Sequence, residues 1–238
     1  MLTGNAFKEQ LVQDRQSGPI TEGTSVSDTW AAVAATFVVF AASFGVGWWL
    51  AGITAAMIFV GMIAGLGIAL FTVFKPTTAA ITAPLYAIAE GLFVGGVSRF
   101  YEAEYSGIVL QAGLLTAAVY FGMWFMYASG RLRLTPKMQK VIITATFGVF
   151  AVYMLNLVMR LFGAEVPFIH DSGPVGIVIS LVIVGIASLN LLIDFDYIDR
   201  LNRQPHERWQ DWFAAFGLLV TVVWIYIEIL RLLSKLRD

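Results

Sequence analysis

The sequence predicts an all-α integral membrane protein, a bundle of seven transmembrane helices. Three observations carry that prediction. The chain is 58% hydrophobic and only 13% charged, against about 25% charged residues in a typical soluble domain. Too little polar surface remains to cover a globule in water. The apolar residues gather into seven runs of about 21–23 residues, close to the ~20 needed to cross a ~30 Å hydrocarbon layer. The alternation of apolar and polar residues that a membrane β-barrel requires is absent.

Taken in order, residues 1–29 are polar, hold Gly4, Gly18, Pro19 and Gly23, and read as a mobile tail. They lack the short apolar core of a secretory signal, so the first apolar run is expected to stay in the membrane. The runs cover 30–50, 52–74, 79–100, 107–129, 141–162, 173–193 (continuing toward Ile198) and 212–233. Ala51 alone separates the first two. The third opens after Lys75-Pro76 and contains Pro84. No connection is long enough for a second domain, so 30–238 is one transmembrane domain. Gly61, Gly65 and Gly67 in the second run, and Gly91, Gly95 and Gly96 in the third, are small residues at spacings that let helix backbones approach closely.

Ten of the fifteen Lys and Arg fall on the N-terminal side, at Lys8, Arg15, Lys75, four positions in 131–140 and three in 200–208. The other five are Arg99, Arg160, Arg231, Lys235 and Arg237. This imbalance predicts a cytoplasmic N-terminus and, with seven crossings, a C-terminus outside.

Composition also excludes functions. The net charge is −1 and there is no cysteine, so neither a nucleic-acid partner nor thiolate chemistry is expected. The only histidines, His170 and His206, lie in loops. No His-Glu-x-x-His, Gly-x-Ser-x-Gly or phosphate-binding glycine loop is present. An enzyme is not expected, nor a cofactor or a firm metal site.

Interest therefore falls on polar groups inside the spans, which are costly there unless paired, hydrated or used. Asp194 closes the sixth run. Asp196 and Asp199 have Arg200 and Arg203 at i+4 and read as local pairs, whereas Asp194 has Tyr197 and Ile198 at i+3 and i+4. Asn190 shares its helix face. Glu228 lies deep in the seventh run, with Arg231 as a local partner. Glu90 stands near the middle of the third. Gln111 reads as an inter-helix hydrogen bond, and Tyr153, Asn156 and Arg160 as interfacial anchors.

Four segments resemble the Bax inhibitor-1 family of multispanning membrane proteins, particularly its bacterial, YccA-like branch. They are Glu90-Gly91-Leu92-Phe93-Val94-Gly95-Gly96-Val97-Ser98, then Ile108-Val109-Leu110-Gln111-Ala112 with Thr116-Ala117, then Leu191-Leu192-Ile193-Asp194-Phe195-Asp196-Tyr197-Ile198, and Ile225-Tyr226-Ile227-Glu228-Ile229-Leu230-Arg231-Leu232-Leu233. The resemblance implies a central seventh helix surrounded by the other six. It also implies a pH-sensitive passive leak of calcium, or of protons, in a bacterial plasma membrane. In that family two aspartates on helices six and seven share a proton and gate the path. Carried over, they are Asp194 and Glu228, where calcium contact would be transient. Two features depart from the pattern. The second acid is Glu, and Glu90 stands where a small residue is usual. The 34 positions between Asp194 and Glu228 also place them unequally in depth, by roughly 13 Å at ~1.5 Å per residue. Glu90 could therefore replace one member of the acidic pair or add a separate polar centre. A different class of function is a non-conducting protein that binds a membrane protease complex, in which every acid would be locally paired. A proton-coupled transporter is a third, without a halves-repeat in its favour.

Overall fold

A computed structural model describes residues 26–52, 56–163 and 173–237. Seven α-helices follow one another: α1 Val26–Ala51, α2 Ala56–Phe74, α3 Ala79–Glu104, α4 Ile108–Ala128, α5 Pro136–Leu161, α6 Pro174–Leu201 and α7 Arg208–Arg237. A 3-10 turn, Pro76–Thr78, joins α2 to α3. No strand occurs among the described residues. Six of the helices are long and apolar enough to cross a membrane, and α2 supplies a shorter apolar stretch, Ile58–Phe74. The chain is therefore an integral membrane protein. Two boundaries differ from the sequence reading. Helix α1 already includes residues 26–29, ahead of the expected start at Trp30, and Gly52, expected to open the second run, is a turn after α1. Of the tail expected over 1–29, residues 26–29 form the first turn of α1, while 1–25 and the loop histidine His170 lie outside the described residues.

The helix ends follow local chemistry. Proline occupies the first turn of α5 and α6, where a missing N–H costs nothing. The Thr135 hydroxyl accepts from the Met138 N–H at the start of α5. Gly107 takes a positive φ of 77° between α3 and α4. The Glu102 carboxylate accepts the N–H groups of Gly107 and Val109 at 2.6 and 3.1 Å, an acid at the positive end of α4.

Helix α7 is the centre. It packs against α1, α3, α4 and α6, and Leu218, Leu219, Ile225 and Leu230 along it are fully buried. The outward surfaces of the others stay apolar, with Val38, Ile63, Leu110, Phe147 and Val178 all exposed. Such helices are hydrophobic all round because lipid takes the place of water. Helix α3 is held between α1 and α2 through its glycines. A Cβ at Gly95 would collide with the Phe44 carbonyl of α1, and one at Gly91 would lie 2.7 Å from the Phe40 carbonyl. On α2, a Cβ at Gly61 would sit 2.9 Å from the Ala89 carbonyl. The glycine spacing thus reports close backbone packing that delivers Glu90, on the same helix, to the inner surface of the bundle.

Candidate functional site

Asp194, in the last two turns of α6 before Leu201, faces α7 at Gly217 and Thr221. A Cβ at Gly217 would be 3.5 Å from its Oδ1, so the glycine leaves room for the carboxyl. Thr221 is its hydrogen-bonding neighbour. The other oxygen, Oδ2, is buried and has no hydrogen-bond partner among the described residues. No cation pairs with it there.

Asp194 opens onto a cavity of about 550 Å3 bounded by α2, α3, α6 and α7, and Glu90 lines the same cavity. Tyr86, Leu66, Gly217 and Thr221 are among its other lining residues. Gly65 of α2 makes space for Glu90, since a Cβ there would stand 2.8 Å from its Oε2. The Glu90 carboxyl has no hydrogen-bond or ion-pair partner among the described residues. Two acids from different helices therefore line one cavity without a compensating cation among the described residues, an arrangement in which ionising either is costly.

Glu228 is elsewhere. It lies seven positions beyond Thr221 and eleven beyond Gly217 on the uninterrupted α7, roughly 10–16 Å farther along at ~1.5 Å per residue. The two acids therefore stand at different depths, and the Asp194–Glu228 contact that the family resemblance implies is absent among the described residues. Glu228, 1% exposed, is fully engaged. The Tyr153 hydroxyl of α5 donates to Oε1 at 2.7 Å, the Trp224 indole donates at 3.2 Å, and Arg231 donates to both oxygens at 3.1 and 3.2 Å. Arg231 also donates to the Tyr153 oxygen at 2.7 Å and lies over its ring. Nearby, the buried Lys235 reaches the Gly176 carbonyl and the Ser180 hydroxyl of α6 at 3.2 and 3.0 Å.

The supporting residues divide likewise. Asn190 donates to Thr146 of α5 at 2.9 Å and to the Ile186 carbonyl, turning away from the Asp194 contact with α7. Gln111 accepts from Arg237 at 2.8 Å, an α4–α7 bond. Asn156 is buried. Asp196 and Asp199 pair with Arg200 and Arg203.

One cluster escaped the sequence reading. Asp211, 1% exposed in the first turn of α7, accepts from Thr29 of α1 at 2.5 Å and lies 2.8 Å from His206 Nε2. His206 Nδ1 is 3.0 Å from the Gln204 carbonyl, so both ring nitrogens face acceptors, which suits the doubly protonated ring. Burial lowers the His206 pKa, but Asp211 and the carbonyls of Gln204 and Leu201 outweigh it, and the net direction is upward. The only available signal was an acid at a helix N-terminus, which by itself reads as a complement to the helix dipole.

Among the described residues, no group of three His, Asp or Glu is arranged to hold a metal ion. The family model described as Bax inhibitor 1 like matches residues 4–238. No curated protein and no solved structure matches the chain.

Proposed function

The chain belongs to the Bax inhibitor 1 like family, and from that premise we propose that it is a pH-sensitive passive leak for calcium or protons in which Asp194 and Glu90 are the pathway acids. The observation that carries the proposal is the shared cavity. Two acids from α3 and α6 face one space, and one of them keeps a buried oxygen without a partner. Acids that interact strongly within one space ionise interdependently, and on this proposal proton number and cation occupancy in the cavity are linked in that way. Such a site can bias helix packing between two arrangements. The role is conducting rather than catalytic. Glu228 is assigned to holding α5 and α7 together, since its charge is already met by Arg231. The excess of Lys and Arg on the N-terminal side supports a cytoplasmic N-terminus and, with seven crossings, a C-terminus outside; the bacterial plasma membrane is the setting that the resemblance implies. A non-conducting, protease-binding role asks that each acid be locally satisfied, and the unpartnered Asp194 favours the conducting reading instead.

The test is reconstitution into liposomes loaded with a calcium dye. Wild-type protein should pass calcium at a rate that changes with pH. Asp194→Asn and Glu90→Gln should each change that profile. Flux and profile identical to wild type in both variants would remove these acids from the mechanism.

A further inference from the structure

We infer that a second cavity, at the end of the bundle that carries the α4–α5 and α6–α7 connections, binds the phosphate headgroup of an anionic phospholipid. The cavity measures about 800 Å3, within the ~300–1,000 Å3 typical of ligand pockets. It is separate from the Glu90–Asp194 cavity, and the leak proposal neither requires nor implies it.

Three guanidinium groups stand in its wall, on Arg133, Arg200 and Arg203. Arg200 and Arg203 are paired with Asp196 and Asp199, which also line the cavity. Arg133, exposed on the α4–α5 connection, has no carboxylate partner among the described residues. Three guanidinium groups against two carboxylates leave one positive charge. A phosphodiester lipid with an uncharged headgroup brings one negative charge. The planar guanidinium fork matches phosphate oxygens geometrically. A zwitterionic lipid would bring an ammonium to a site whose two carboxylates are already engaged.

The remaining walls identify the source of the phosphate as a lipid. Trp30 at the start of α1, and Trp124 and Tyr127 at the end of α4, line the cavity. The two tryptophans are 37% and 46% exposed. Aromatics at helix ends mark headgroup depth. Phe195 and Ile198 add an apolar wall, of no use to a free phosphate but suited to a glycerol backbone. Asn202 also lines the cavity, and its Oδ1 is buried without a hydrogen-bond partner among the described residues.

The experiment is native mass spectrometry of the full chain released from detergent containing phosphatidylglycerol or phosphatidylcholine. Wild type should retain one phosphatidylglycerol per chain and little phosphatidylcholine. Arg133→Gln should lower retention about ten-fold, as expected for loss of a charge-assisted contact. Lys140→Gln, a nearby change outside the cavity wall, should retain lipid as wild type does. Because Arg133 is exposed, its variant is expected to keep the fold, and an unchanged melting temperature in lipid-free detergent checks this. Equal retention of the two lipids, or wild-type retention by Arg133→Gln, overturns the proposal. Displacement of the lipid by inorganic phosphate at matched ionic strength also overturns it, because the site would then be one for free phosphate.

Discussion

The two halves of α7 treat buried carboxylates in opposite ways. Around Glu228, a tyrosine, a tryptophan and an arginine converge on one acid. Around Gly217 and Thr221, Asp194 and Glu90 share a cavity that offers one hydroxyl neighbour to Asp194 and no cation among the described residues. Compensated charge inside a bundle stabilises a single packing, because removing either partner strands the other. Uncompensated acid leaves its proton or a passing cation as the only relief. The C-terminal half therefore reads as a clamp and the N-terminal half as a site able to change state.

The largest expected effect tests the clamp. Arg231→Ala leaves Glu228 buried without a cation and should cost about 3–5 kcal/mol, read as a lower unfolding midpoint in detergent. A loss below about 1 kcal/mol would place Glu228 on the surface-pair scale and dissolve the contrast.

The His206–Asp211–Thr29 cluster at the start of α7 comes next. Because the folded-state pKa of His206 lies above its ordinary value, its contribution is complete below about pH 6.5, the usual histidine value. It is lost as pH rises through the raised folded value. The wild-type melting temperature should therefore fall between pH 6 and pH 8, and His206→Gln should flatten that slope. At pH 6 the variant should be less stable by about 1.5–3 kcal/mol, the range for a hydrogen bond to a charged group.

Asp194→Asn should behave differently. It removes an acid that has no counter-charge, so stability should stay within about 1 kcal/mol of wild type or rise, while the pH dependence of flux changes. Thermal unfolding beside liposome flux separates the two. The smallest effect belongs to Asp196→Asn, which breaks an exposed i,i+4 pair with Arg200 and should cost only about 0.3–0.5 kcal/mol in denaturant titration.

What the sequence disclosed follows the range of each interaction. The spans were legible because hydrophobic length is local. The Asp196–Arg200 and Asp199–Arg203 pairs were legible because i,i+4 geometry is fixed by the helix. The depth of Glu228 relative to Asp194 followed from rise per residue, which no tertiary contact can alter in an uninterrupted helix. The family resemblance named the family but carried over an acid pair that these residues do not form. Tyr153 meets Glu228 across 75 positions and Thr29 meets Asp211 across 182. Such meetings depend on how each helix is rotated about its axis, which apolar runs hydrophobic on every side leave unspecified. Glu90 was visible as an anomaly, while its position in the Asp194 cavity depended on the glycine-mediated approach of α3 to α1 and α2.

The most direct test of the contrast is the pH profile of calcium flux in proteoliposomes for wild type, Asp194→Asn, Glu90→Gln and the double variant, with Glu228→Gln alongside. If the two cavity acids act as one unit, the double variant should be no more altered than the more severe single, and Glu228→Gln should keep the wild-type profile. Independent, multiplying effects of the two cavity acids, or loss of pH dependence in Glu228→Gln alone, would contradict the account.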